Sequence, residues 1–297
     1  MFRTSVLFII IKIAISTVFS SASFAQSRDQ YFWLPDSAIY RPLSTMIPVP
    51  DGYTRIEVPP HSFAAWLRGL PMHHSGTPVR DYTGRIRVPA SDSTLAAVAH
   101  YNIHGRKLEQ CMDIIQRWWA EYLYVNHNSD EITFAMPGGQ FLNWQAWSSG
   151  LRPHFEGVHY SLQPDAAFDS SRQSLESYLW TVFYTSYTQT AAVAYPTIKF
   201  DNLQIGDFII REGSRGHAVL IVDLARNDEG ELIGLLGNGD TPARQFFILN
   251  YHRHQPWFPL SQNQGHIPLP FKKQMSWSGL RRLLPISAVS DSMTFAR

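Results

Sequence analysis

The chain is 297 residues long, 44% hydrophobic and 13% aromatic, with a formal charge of +1. That content supports a large packed core, and the near-neutral balance carries no electrostatic footprint for nucleic acid. A single cysteine, Cys111, excludes an internal disulfide, so packing alone must hold the fold.

At the N-terminus Arg3 supplies a short positive segment, and the apolar run from Val6 to Phe19 is broken only by Lys12. Ser23-Phe24-Ala25 then places small residues at the two positions that a signal peptidase reads. This predicts a cleaved signal peptide over residues 1–25 and a periplasmic or secreted product. The run is shorter than the ~20 residues a spanning helix needs, so no stable membrane span is expected after cleavage. Residues 26–285 read as a single globular domain and 286–297 as a flexible tail.

Tyr31–Pro60 is rich in proline and aromatics and reads as irregular wrapping with a short strand at Thr54–Val58. His61–Leu70 has helical apolar spacing and stops at Pro71. Pro78–Val88 reads as a strand with a turn at Thr83-Gly84, and Leu95–Tyr101 fits either strand or helix. Leu108–Val125 is the strongest helix, with Cys111, Ile115, Trp118, Trp119 and Tyr122 on one stripe. Glu131–Gly150 holds a Pro-Gly-Gly turn between two short aromatic-rich pieces, and Arg172–Thr188 is a second helix. The period then changes. Asp207–Ile210, Ala218–Leu224, Leu232–Leu236 and Phe246–Leu249 read as short strands, with Asn227–Gly230 as a turn. Everything after Pro256 reads as loop. Helices packed on a small antiparallel sheet make the fold class α+β.

Within the strand region, Gly206-Asp207 opens one strand and Gly216-His217 opens the next, followed by Ala218-Val219-Leu220-Ile221-Val222. This strand pair resembles that of papain-like hydrolases of the NlpC/P60 and CHAP type. There the strand-opening histidine is the general base, and the nucleophilic cysteine comes earlier, near the start of a helix against the sheet. The resemblance implies a papain-like core with insertions, Cys111 as nucleophile and His217 as base. A thiol ionises weakly at neutral pH, so a nearby imidazole and helix N-terminal amides are the groups that would activate it. A third residue should orient the imidazole. If the hairpin turn centres on residues 227–229, paired positions sum to about 455 or 457, and His217 faces Asn238 or Asp240 on one face of the sheet. Asn238 is favoured and Asp240 is the alternative, and a bulge would change the choice. The Cys111 N–H is one oxyanion donor, with Asn102 or Gln110 as the second.

Two features point the other way. A cysteine on the apolar stripe of a helix also reads as a small core residue. No Ser, Thr, Asp or Asn directly precedes Cys111, so the helix is expected to begin near Arg106 and to carry Cys111 a full turn in, where the dipole has faded.

A more particular likeness covers residues from about 45 to 285. Gly52-Tyr53 with Arg55, Ser62–Arg68 and Leu70-Pro71 resemble the start of an uncharacterised bacterial family, domain of unknown function 4846. Leu108-Glu109-Gln110-Cys111-Met112-Asp113, Arg117 and Ala120–Tyr124 resemble its helix "LQQCAD…R…AEYLY", and Gly206-Asp207, Gly216-His217-Ala218 and Val222-Asp223 its "GD…GHA…VD". The resemblance implies that Cys111, Asp113, Arg117, Glu121, Asp207 and His217 belong to the family pattern. Where the family reads "AQSYMPAQ", this chain has Gly237-Asn238-Gly239-Asp240-Thr241-Pro242-Ala243-Arg244, with Asn238 in place of a glutamine. Arg117 and Glu121, four apart, are placed to pair.

His73-His74 and His252-Arg253-His254 lack a third ligand at a defined spacing, and no Gly-rich phosphate loop is present, so no metal and no cofactor are expected. Trp144, Trp147 and Trp257 would have to be exposed to form a sugar-stacking surface, and otherwise belong to the core. The functional expectation is an exported cysteine hydrolase acting on an amide bond, with cell-wall peptide as its substrate. The alternatives are a non-catalytic cell-envelope binding protein on the same scaffold and a carbohydrate-binding module.

Overall fold

A computed structural model describes residues 28–213, 216–270 and 274–288. The signal peptide expected over residues 1–25 lies outside the described residues, as does the tail beyond 288. The first tail residues are anchored, since Ser287 donates through both N and Oγ to Glu131 Oε2 at 3.0 and 2.9 Å.

The centre is an eight-stranded antiparallel sheet. Its strands are β1 (Tyr53–Arg55), β2 (Leu95–Val98), β3 (Phe208–Arg211), β4 (His217–Asn227), β5 (Leu232–Asn238), β6 (Phe247–Leu249), β7 (Trp257–Leu260) and β8 (Leu280–Arg281). The order is β8-β3-β4-β5-β6-β2, with β1 added to β4 and β7 added to β5. β4 and β5 form the central hairpin. Its turn closes on itself: Asn227 Oδ1 accepts the Glu231 N–H at 2.7 Å, and Gly230 takes the left-handed conformation at φ 85°.

The hairpin register decides which residues meet at its open end. Val219 lies opposite Asn238 and Ile221 opposite Leu236; a bulge then places Asp223 opposite Leu235. An extra residue on one strand reverses the inward and outward alternation. Ala218, Leu220, Val222 and Ala225 accordingly reach one core, and Val219, Ile221 and Leu224 reach the other. Asp223, fully buried at the bulge, accepts from Arg55 Nε and Arg68 Nε, both at 2.7 Å. The bulge thus ties the sheet to helix α1 (Phe63–Arg68), which Ser62 caps by accepting the Ala65 N–H.

On the first face lies α2 (Cys111–Val125), followed in the chain by α3 (Arg172–Thr185) and α4 (Thr188–Ala194). Met112, Ile114, Ile115 and Trp118 of α2 belong to the same core cluster as Leu220 and Phe246. Trp118 is fully buried and sits against Trp33, Trp66, Tyr101 and Phe246, with ring centroids 5.1–5.9 Å apart. The opposite face of the sheet is covered by the C-terminal segments, including Met275 and Trp277. Helices on an antiparallel sheet were expected. Among the described residues no helix is long and apolar enough to cross a membrane.

Several element bounds differ from expectation. The single helix expected over Arg172–Thr188 breaks at Ser186 and Tyr187 into α3 and α4. Residues after Pro256, expected as loop, supply β7 and β8; Pro259 fits because β7 is an outer strand and that position needs no donated hydrogen bond. Leu151–Glu156 and His159–Pro164 form a separate hairpin that no sequence signal marked.

The His73 and His100 rings meet with centroids 4.1 Å apart and planes tilted by 40°, and Trp33 Nε1 donates to the His100 carbonyl. Burial, the neighbouring His100 and then His74 push the His73 imidazole down to about 4. Burial also lowers His100. A histidine whose folded value lies below its unfolded 6.5 binds fewer protons when folded, so its contribution is complete above pH 6.5 and lost as pH falls toward 4. The contribution of His73 to stability should therefore fall over pH 6.5–4, and because its half-exposed ring is screened by solvent the loss in urea unfolding should be about 2 kcal/mol. That loss should shrink in His73→Gln.

Candidate functional site

Helix α2 begins at Cys111, not near Arg106. Gln110 is extended, its N–H is accepted by Asp113 Oδ2 at 2.9 Å, and its carbonyl accepts the Ile114 N–H at 3.0 Å. The capping acid therefore lies three residues into the helix rather than before it. Cys111 is the first helical residue, at the positive end of the dipole.

What lies beneath the helix start is the sequel to β5. A Cβ on Gly239 would stand 2.7 Å from Ile114 Cγ2 and 3.2 Å from both Cys111 Cα and the Gln110 carbonyl oxygen. Only the absence of a side chain lets the chain pass this close to the helix. Gly239→Ala is expected to push the start of α2 off the sheet and to cost about 1–3 kcal/mol in urea unfolding, with slower reaction of the Cys111 thiol.

The Cys111 side chain is buried, and the backbone N–H groups of Ala218 and Met112 hydrogen-bond its sulfur. Burial pushes the thiol up to about 11 despite those donors, and Asp113 and Asp240 add to the rise. In this structure the side chain is a neutral thiol. His217 opens β4 directly before Ala218 and lies 2.7 Å, from Nε2, to Asn238 Oδ1. A carboxamide oxygen can only accept, so Nε2 carries the hydrogen and Nδ1 is the basic nitrogen. Burial lowers the imidazole below its usual range, opposed by the Asn238 hydrogen bond and the charge of Asp240. Arg211 and Arg244 add to the lowering. His217 is thus neutral near pH 7.

Of the residues proposed from sequence, Cys111, His217 and Asp240 line one cavity of about 610 Å³, together with Gln110, Arg211 and Tyr187. Asn238 lies behind His217, 1% exposed. Asp240 pairs with Arg244 at 3.2 Å and faces His217 through charge rather than as its hydrogen-bond partner. Asn102 is elsewhere: its Oδ1 accepts the His104 N–H in an exposed turn. Gln110 stays at the cavity, its Oε1 accepting from Thr241 Oγ1 at 2.7 Å.

The other residues of the family pattern brace this site. Arg117, 1% exposed, pairs with Glu121 at 3.2 Å, with Glu176 at 2.9 Å and with Glu109. Arg106 and Arg172 reach the same acids from outside. The network joins α2 to α3 and fixes the segment just before Cys111. Asp207 accepts from Gln204 N and from Arg282, closing the turn into β3. Sequence reasoning missed Glu176, which lies 59 residues from its partner, and the Ala218 N–H, which carries no side-chain signal.

Trp144, Trp147 and Trp257 are buried, which removes the sugar-stacking surface. His73 packs on His100 and His252 on Tyr251. Among the described residues no group of three or more His, Cys, Asp or Glu is placed to hold a metal ion.

The molecule is therefore a mixed α/β protein in which a helix-start cysteine and a strand-start histidine backed by an asparagine share one cavity. It belongs to the domain of unknown function 4846 family, whose model matches residues 43–279. No curated protein and no solved structure matches the chain at a significant level.

Proposed function

We propose that this protein is an exported cysteine hydrolase of papain-like design that cleaves an amide bond in a cell-envelope substrate. The observation that carries the reading is the His217–Asn238 hydrogen bond, which lies behind the cavity that His217 and Cys111 both line. An asparagine that fixes the tautomer makes the other ring nitrogen the basic one, the arrangement of a Cys-His-Asn site. His217 Nδ1 takes the thiol proton as Sγ attacks the carbonyl carbon. The imidazolium then gives that proton to the amine nitrogen as the C–N bond breaks, leaving a thioester on Cys111. Water, deprotonated by His217, attacks the thioester, the C–S bond breaks, and the acid leaves as the thiol regains its proton. As the first helical residue Cys111 has no partner for its N–H within the helix, which suits it to hold the oxyanion, with the Gln110 carboxamide nitrogen as second donor. Because both Cys111 and His217 start neutral, proton transfer accompanies attack instead of preceding it.

The test is the pH dependence of iodoacetamide labelling at Cys111. Assisted by His217, the rate should rise as the imidazole loses its proton below pH 6.5 and then level off. In His217→Ala it should climb only toward the thiol's own value near 11. The same slow climb in both proteins would sink the hydrolase reading. A second reading, a non-catalytic envelope binding protein on this scaffold, is favoured by the burial of the thiol, 5% exposed. It predicts that identical climb.

A further inference from the structure

Next to the Cys111 cavity lies a second one of about 700 Å³, lined by Phe155, Val158, Trp180, Tyr184 and Tyr187 and sharing Leu108, Tyr184 and Tyr187 with the first. Its apolar walls are open to solvent: Tyr184 is 72% exposed, Tyr187 60% and Val158 57%. Large apolar side chains this exposed and this close together mark a surface that meets a ligand. The wall is also built. Val158 sits at the tip of the Leu151–Glu156 and His159–Pro164 hairpin, which is seated on Gly138, where a Cβ would stand 2.7 Å from the Val158 carbonyl oxygen and 2.6 Å from His159 Nδ1. Gly138 has φ 79°, a conformation glycine adopts without strain. Across the first cavity the lining turns polar, with Gln110, Arg211, Asp240 and Thr241.

We infer that the apolar shelf is a subsite for a large apolar group beside the scissile bond, so that the substrate is an amide bearing an aromatic or long aliphatic group there. The inference rests on the cysteine-hydrolase reading and narrows it. Envelope peptides with only small or charged residues around the bond would leave the shelf empty, and an apolar residue or acyl chain would fill it.

The test compares iodoacetamide with its N-benzyl and N-octyl forms on the full mature protein, each rate divided by that of the same reagent with glutathione. In each case Sγ attacks the methylene carbon, iodide leaves and His217 accepts the thiol proton. At least one apolar reagent should label Cys111 about ten- to a hundredfold faster than iodoacetamide. A benzyl preference assigns the group as aromatic, and an octyl preference as an aliphatic chain. Phe155→Ser and Val158→Ser alter exposed side chains that line the shelf and not the Cys111 cavity, so the fold should persist, and they should erase the advantage while iodoacetamide labelling is unchanged. An advantage that is absent, or that survives both substitutions, overturns the inference and leaves the hydrolase reading standing. Labelling that is indifferent to His217→Ala with all three reagents overturns the hydrolase reading, and the inference with it. A concentration-dependent dimer in sedimentation that Phe155→Ser disperses would assign the shelf to self-association and overturn the inference as well.

Discussion

At pH 7, His217→Ala should slow reaction of Cys111 with iodoacetamide by about two to four orders of magnitude, the span that a positioned base contributes. The reason is the thiol itself. Held near 11 by burial, it is almost wholly protonated at pH 7, and without a base only the minute ionised fraction reacts. The hydrogen bonds to the sulfur come from the Ala218 and Met112 amides, which are donors, and Asp113 and Asp240 oppose ionisation by their charge. Asn238→Ala should act more mildly, by about tenfold, because it frees the ring to rotate and change tautomer without removing the base. Circular dichroism must show both variants folded. An Asn238→Ala loss equal to that of His217→Ala would mean that orientation is everything. No loss in either would mean that Cys111 is inert.

The second large effect is structural. Arg117→Leu should destabilise the protein by about 3–5 kcal/mol in urea unfolding, since it strips the central cation from Glu109 and Glu121. Both acids are fully buried, and burial already raises their tendency to hold a proton against the pull of the surrounding guanidiniums. With Arg117 gone, three carboxylates face only Arg106 and Arg172. The Arg117 guanidinium also lies over the rings of Tyr101 and Phe183, and those contacts go with it. Glu109→Gln in the Arg117→Leu background should restore part of the stability. Full additivity of the two losses would show that the pair is not coupled.

How much of this was legible in the sequence depends on the range of the interaction. The central hairpin was readable because its signals are local: a polar turn at Asn227–Gly230 flanked by two short apolar runs. Counting across the ladder from that turn points His217 to Asn238 or Asp240; the bulge shifts the register by one residue, so that Val219 lies opposite Asn238, and His217, two residues away on the same face, reaches Asn238 along the diagonal. The order of Cys111, His217 and Asn238 was legible for the same reason. The start of α2 was not. Its capping carboxylate, Asp113, lies inside the helix, and the residues before it are held by Arg117 and Glu176, partners that only the fold supplies. β7 and β8 were invisible because each is short and defined by the strand it joins. The hairpin over Leu151–Pro164 has mostly exposed faces, so burial imposed no alternation for the sequence to show.

The buried, neutral state of Cys111 bears on how the thiol meets oxidants. Oxidants and disulfides react with thiolate, at rates set by how much of it exists and how openly it stands. A permanently ionised nucleophile would be lost to sulfenic acid or to mixed disulfides between turnovers. A thiol that ionises only when its proton is drawn off during attack keeps its reactivity latent, and the chain can carry one cysteine for long periods without a partner for it.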